Sequence, residues 1–468
     1  LRLQLSGTNR RGLLIALGVL LGLAIVPGAA RGQGEDLAKR VEDLERQVEQ
    51  LQQQLAAQDS AELALLRRQI EALTREIEEL RLGEEVVVAA DTGVYGFGPA
   101  ASKVYRTGQG VSIGGYGEAL YENFSDRVDG GSPSGKTDQI DFLRAVFYFG
   151  YKFSDRLLFN SEIELEHAST SQSGSVSVEF AYLDYRASGL LGMRGGLVLV
   201  PMGFINELHE PPTFLGTERP ETERRIIPTT WRENGLGAFG EAGGFVYRGY
   251  LVNGLDAVGG GSSKAAGFSA TGLRSGRQKG SKAVAEDFAG VARVDFTGLL
   301  GFLVGTSLYV GRSGQGADSP IDGSTIDAPT VIWEGHAEYR AHGLDMRALF
   351  ALASVDDVAD INAAKMLSGA QSVGERLVGW YVQAGYNVLR LARTSQQLVP
   401  YVRYESINTQ DRVPDGFAAD PANDEQLVTL GAAWKPIVNI AIKADYQFRR
   451  NEARTGVDQF NVALGYLF

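Results

Sequence analysis

The chain contains no cysteine, which excludes disulfide scaffolds, thiolate metal sites and cysteine nucleophiles. Histidine is almost as scarce. His167, His209, His336 and His342 are the only four in 468 residues, too few and too scattered for a histidine-built zinc or non-haem iron centre, so no metal and no cofactor are expected. There is no basic block: 45 Lys+Arg stand against 57 Asp+Glu, a formal charge of −12. Without a basic surface to neutralise phosphates, nucleic acid is excluded as a partner. Only one long apolar run occurs, at the N-terminus, and it falls short of the roughly 20 residues that a spanning helix needs. What is plentiful is glycine (59 residues), tyrosine (18) and phenylalanine (21), a composition of strands and turns.

Arg10 and Arg11 precede the uncharged run from Gly12 to Pro27, and small residues follow in Gly28-Ala29-Ala30-Arg31-Gly32. A basic start, a short apolar stretch and a small-residue cleavage site describe an export signal over residues 1–32. Leu37, Val41, Leu44, Val48, Leu51 and Leu55 then fall at alternating spacings of four and three. The pattern resumes at Leu63, Leu66, Ile70, Leu73, Ile77 and Leu80, after a stutter at Asp59. This predicts an α-helical coiled coil over 33–84, a rod roughly 70 Å long whose apolar seam calls for further copies of the chain. A linker is expected over 85–104.

From residue 105 to 468 the apolar period changes to two. Leu143, Ala145, Phe147, Phe149, Tyr151 and Phe153 share one face, with Arg144, Tyr148 and Lys152 on the other. Ile440, Ile442, Ala444, Tyr446 and Phe448 alternate in the same way with Lys443, Asp445, Gln447 and Arg449. Long polar connections (124–138, 255–286, 312–329, 355–375, 408–425) are interspersed with tight turns such as Ser154-Asp155 and Ala341-His342-Gly343. Strands of about ten residues with one lipid-compatible face, long loops on one side and short turns on the other predict an all-β transmembrane antiparallel β-barrel. Its strand number is expected to be about sixteen and even. Phe460, Val462, Leu464, Tyr466 and the terminal Phe468 alternate as the last strand of an outer-membrane protein does, the signal read by the barrel-assembly machinery. The location this implies is the cell outer membrane, in contact with its lipid, with the coil in the periplasm.

About sixteen strands enclose an aqueous channel rather than a packed interior. The candidate lumen-facing charges are Arg144, Lys152, Glu162, Glu164, Arg186, Arg194, Arg248, Arg293, Arg347, Arg403 and Lys443. Arg293/Asp295, Asp345/Arg347 and Lys443/Asp445 lie two apart on one face, as wall-stabilising pairs would. The connection Phe204–Trp231 carries Phe204, Phe214, Leu215, Ile226, Ile227 and Trp231, apolar residues that a solvent loop would not need. It is expected to fold onto the lumen wall and narrow the pore. Glu207, His209, Glu210, Glu218, Arg219, Arg224, Arg225 and Trp231 are its candidate constriction residues.

Val200-Pro-Met-Gly-Phe-Ile-Asn-Glu207, Arg219-Pro220 and Pro228-Thr-Thr-Trp-Arg-Glu-Asn-Gly-Leu-Gly237 resemble the phosphate-selective porin O/P family, over roughly residues 105–468. The resemblance implies a sixteen-stranded, homotrimeric porin. Phosphate selectivity there rests on basic pore linings, and the acidic residues interleaved here (Glu162, Glu164, Glu166, Asp184, Asp295, Asp345, Asp445) depart from that pattern. The leading expectation is passive diffusion of small hydrophilic solutes or inorganic anions, phosphate among them. The alternative is a structural tether whose coil spaces the outer membrane from the cell wall. Four histidines, none set beside a nucleophile, argue against an enzyme.

Overall fold

The structure, a computed structural model, describes Arg46 and residues 94–468 except Gln172, 262–264 and Arg393. The expected export signal (1–32), the coiled coil (33–84) apart from the exposed helical residue Arg46, and the first part of the linker lie outside the described residues.

Sixteen antiparallel strands close on themselves, each pairing with its neighbour in sequence and the first with the last. They are β1 (Gly110–Val128), β2 (Gln139–Lys152), β3 (Leu157–Glu166), β4 (Val176–Arg186), β5 (Gly192–Leu199) and β6 (Arg232–Ala242). β7 (Phe245–Asn253), β8 (Phe288–Leu299), β9 (Phe302–Arg312), β10 (Pro329–Ala341) and β11 (Leu344–Val355) follow. β12 (Arg376–Tyr386), β13 (Gln397–Arg412), β14 (Asp424–Ile437), β15 (Ile440–Asn451) and β16 (Val457–Leu467) complete the wall. Closure leaves no edge strand to pair with another chain. The seam is sealed at Tyr116↔Leu467, and Phe468 extends it: its N–H donates to the Gly115 carbonyl at 2.9 Å and its carbonyl accepts from the Gly115 N–H at 3.0 Å.

An even strand number puts the start of β1 and the end of β16 at one rim, here called the terminal rim. Its turns are mostly short, such as 243–244, 300–301, 342–343 and 438–439. The opposite rim carries the long connections 200–231, 254–287, 313–328 and 356–375. β1 and β13 run further than the loop-like composition around 124 and 408 suggests, because their tips pair with β16 and with β12 and β14.

Period-two alternation sorts the side chains. Phe147, Phe149, Leu183, Leu236, Leu251, Val310, Trp333, Phe350 and Leu430 point outward and are exposed, an apolar belt on the lipid side. Tyr151/Phe153 and Phe245/Phe296 form ring pairs with centroids 4.9 and 5.0 Å apart near the terminal rim, part of an aromatic girdle. No helix among the described residues is long and apolar enough to cross a membrane.

The inside is filled rather than empty. Two of the segments that enter the lumen position the site. One is the 200–231 loop, which contains helix α2 (Glu221–Arg225); the other is residues 94–106, which end in helix α1 (Lys103–Arg106). The main buried apolar cluster joins Phe97, Ala100, Ala101 and Val104 to Met202, Phe204, Ile226, Ile227 and Trp231 and to inward residues of the wall. Residues 94–104, expected as connecting chain, are therefore part of the barrel's interior.

Candidate functional site

The inner loop leaves β5 and returns to β6 through a neck built on Asn206. The fully buried Asn206 amide donates to the carbonyls of Val200 (2.6 Å) and Trp231 (2.8 Å), and its oxygen accepts from the Trp231 N–H (2.5 Å). From there the loop crosses to the far wall. The Thr213 carbonyl accepts from Arg340 and Arg347 at 2.9 and 2.8 Å, and the Gly216 carbonyl accepts from Lys443 at 2.8 Å. Thr217 donates to Asp445 from both its N–H and its hydroxyl at 2.8 Å, and the Thr222 N–H donates to Glu405 at 3.1 Å. Backbone groups of an irregular segment are thus satisfied by charged wall side chains, as a buried loop requires.

Most of the predicted wall charges are held in pairs, with one another or with the inner loop. Arg194 makes a bidentate pair with Asp184 at 2.7 and 2.8 Å, and its guanidinium lies 4.1 Å from the Tyr182 ring centroid. Arg248 binds Asp295 (2.8 Å) and Glu207 (3.2 Å), and Arg293 binds Asp295 (2.9 Å). Arg403 pairs with Glu405 at 2.9 Å, and Arg144 bridges Glu118 and Glu164 at 3.1 and 3.2 Å. Glu162 accepts from or donates to His209 at 3.1 Å. Lys152 donates to the Thr107 carbonyl at 3.0 Å, and Arg186 ends β4, half-buried, at the terminal rim.

Of the three pairs expected two apart along a strand, only Arg293–Asp295 forms. Asp345 pairs instead with Arg340 (3.2 Å) and Arg347 with Glu338 (2.6 Å), because β10 and β11 place these residues directly opposite each other. Cross-strand partners approach more closely than same-face residues along a strand. Lys443 and Asp445 both turn to the inner loop.

Glu207, His209 and Glu210, adjacent in sequence, go to three different places. Glu207 faces Arg248, His209 faces Glu162, and the Glu210 carboxylate accepts from the Ala100 and Ala101 N–H groups at 3.1 and 2.9 Å. No three-ligand metal cluster occurs among the described residues. Burial, with the Arg219 charge nearby, pushes His209 down to about 4, so it is neutral at neutral pH. Trp231 is fully buried, its ring 4.8 Å from that of Tyr309 and its indole N–H donating to Glu233 at 3.2 Å.

Four loop charges have a different setting. Glu218 accepts from Gln447 and Gln459 at 2.8 Å. Arg219 is half-buried, and its Nη2 is buried without a hydrogen-bond partner. Burial and the neighbouring Arg144 charge lower its pKa. Arg224 and Arg225 reach the mouth of the long-loop rim, where Arg224 holds Glu221 at 2.7 Å and Arg225 holds Glu425 at 2.8 Å. Burial disfavours an ionised Glu221, but Arg224 and Arg449 outweigh it and hold the carboxyl at about 2.

Above α2 lies a cavity of about 890 Å³ between the inner loop and the 254–287 connection, which folds inward on Leu255, Phe268 and Leu273. Its charged lining is Arg224, Arg225, Arg274, Arg277, Lys279 and Arg449, with Glu425 the one carboxylate. Arg277 is 7% exposed and donates only to backbone carbonyls, those of Arg274, Pro228 and Thr230. Arg274 donates to the Thr229 carbonyl. Among the described residues neither has a carboxylate within salt-bridge distance. Burial and then the surrounding guanidinium groups push Arg277 down to about 9 and Arg274 to about 10. A second cavity, about 310 Å³, opens at the terminal rim and is lined by Lys103, Arg106, Arg340 and Lys435 with Asp345. A protein of net negative charge thus surrounds both lumen cavities with positive charge.

Sequence reasoning missed Arg274, Arg277 and Lys279, which sit in a connection read only as Gly/Ser/Lys-rich; Phe268 and Leu273 beside them were the signal that this loop turns inward. It also missed Glu118 and Arg340, partners that only register reveals.

The chain matches no protein-family model. A protein of Aquifex aeolicus (strain VF5), described as uncharacterized, is 39% identical over 381 residues, covering 80% of this chain and 83% of that protein. Among solved structures, Salmonella typhi OmpF in complex with daunomycin superposes with a TM-score of 0.52 at 13% identity, over 76% of this chain and 97% of that one. A loop-deletion mutant of OmpT, an outer-membrane protein of Vibrio cholerae, gives a TM-score of 0.48 at 14% identity, over 76% of this chain and 99% of that one.

Proposed function

The chain belongs to the same family as the uncharacterized Aquifex aeolicus protein and has a porin-like barrel fold, and from this we propose that it is a passive outer-membrane channel that favours small multivalent anions. The observation that carries the anion preference is the six-to-one excess of basic over acidic side chains around the cavity at the long-loop rim. Like charges crowded in a partly desolvated pocket repel one another, and a permeating anion relieves that repulsion. The focused field of such a pocket raises the local concentration of anions regardless of the net charge of the chain. Paired wall charges hold the inner loop in place, whereas Arg274 and Arg277 line the cavity with no carboxylate partner among the described residues and are the groups that meet solute.

Chemically, inorganic phosphate and small polycarboxylates fit this lining, and phosphate is the first solute to test. The terminal rim is assigned to the periplasm, where the expected coil would emerge, and the long-loop rim to the exterior. The seam of that coil supports a homotrimer as the assembly. Phe468, bonded both ways to Gly115, closes the seam of the barrel. The test is the permeability ratio of purified protein in a planar bilayer, wild type against R274E/R277E. A chloride preference that falls or inverts in the variant supports the reading; a protein that never conducts transfers the function to the tether.

A further inference from the structure

We propose that residues 94–106 form a removable plug at the terminal mouth, a gate whose withdrawal widens the water path; this inference rests on the channel reading. The segment is inside the barrel but not part of its wall. Its backbone-to-backbone hydrogen bonds are internal, from the Ser102 N–H to Gly98, Lys103 to Ala100, Tyr105 to Ser102 and Thr107 to Lys103. It joins no strand ladder, so leaving breaks none of the pairing that closes the barrel.

What holds it is the burial of Phe97, Ala100, Ala101 and Val104 in the interior cluster together with a set of side-chain hydrogen bonds. Glu210 of the inner loop accepts from two successive N–H groups, Ala100 and Ala101. Asn160 of β3 donates to the Ala101 carbonyl at 2.9 Å. The Tyr105 hydroxyl donates to Asp184 at 2.5 Å and accepts from Arg194 at 2.8 Å. Phe97 stacks 5.8 Å from the Tyr182 ring. The wall under the plug combines the polar groups of Asn160, Asp184 and Arg194 with the rings of Phe180, Tyr182 and Phe239, and water can take over the hydrogen bonds of the polar groups when the plug departs.

Close fit is required at one point. Gly98 lies against Glu210, and a Cβ there would come within 2.4–2.7 Å of the carboxyl group. A side chain at this position therefore pushes against the carboxylate that clasps Ala100 and Ala101 and loosens that clasp.

Two variants test the gate by conductance in planar bilayers, each first checked for folding by its heat-modifiable migration. G98L should conduct more than the wild type. Because the chain has no cysteine, A101C/N160C can be tied specifically with a short thiol crosslinker that reduction cleaves. The tied protein should lose most of its current and recover it on reduction. Equal current in wild type, G98L and the tied and released protein would overturn the gate and leave the channel standing. Absence of current in every form, G98L and released protein included, would overturn the channel reading and the gate with it. If G98L does not fold, the crosslinked pair alone decides between these outcomes.

Discussion

Asn206→Ala isolates the neck of the inner loop. The substitution removes two hydrogen bonds donated to the Val200 and Trp231 carbonyls and one accepted from the Trp231 N–H. Both carbonyls keep another partner, the N–H of Met202 for Val200 and that of Val200 for Trp231. Each lost bond to them then costs about 0.5–1 kcal/mol. The Trp231 N–H is left unsatisfied beside a fully buried indole, a penalty of about 1–3 kcal/mol. Together the loss is about 2–5 kcal/mol of loop anchoring. If the loop opens locally, the fraction of time that Arg224–Arg225 is accessible rises by roughly 30- to 4,000-fold. Trypsin cleavage at that site, measured at low protease on protein refolded in detergent, reads this population directly. A cleavage rate within about threefold of wild type, with an unchanged urea midpoint, would show that Asn206 is not the clasp and would refute the reasoning.

Other outcomes follow from the same geometry. R274E should weaken anion preference while its urea unfolding stays within about 1 kcal/mol of wild type, since this exposed arginine gives up one hydrogen bond to the Thr229 carbonyl. R274E/R277E should abolish the preference and also unfold more easily, because Arg277 is buried on three carbonyls that a carboxylate cannot serve. Asp184→Ala leaves Arg194 buried without its counter-charge and should lower stability by about 3–5 kcal/mol in equilibrium unfolding. Glu223 accepts from the Ile205 N–H and the Tyr381 hydroxyl, each at 2.7 Å, yet burial raises its carboxyl from 4.5 to about 7, with Glu334 adding to the rise and His336 opposing it. Its contribution to holding the loop is complete below about pH 4.5 and is lost as pH climbs through 7. Glu223→Gln should therefore flatten the fall in loop protection between those values, measured by hydrogen exchange of residues 200–231.

The barrel itself was legible because it depends on a local rule. In β2 and β15 every second residue is apolar, and this alone sorts lipid face from lumen. The inward course of the 200–231 loop was also readable, since Phe204, Ile226, Ile227 and Trp231 have no reason to occur in a solvent loop, and all four are buried. What was not legible depends on distant register. Nothing near Arg347 in sequence says that Glu338 lies across from it, and the same holds for Arg340 and Asp345. Residues 94–104 were read as linker because the segment is too short for periodicity to show, and its fit depends on Glu210, 110 residues away from Ala100. The basic cavity arises from three separate stretches meeting in space: α2, the 254–287 connection and the end of β15. Its charge is hidden in a composition that sums to −12.

The most direct test of the central claim is the reversal potential of the purified protein in a planar bilayer under a KCl gradient, repeated with phosphate added. The basic lining of both lumen cavities predicts a potential of the sign set by chloride, with current reduced as phosphate occupies the pocket. A potential of the cation sign, unaffected by phosphate, would contradict it.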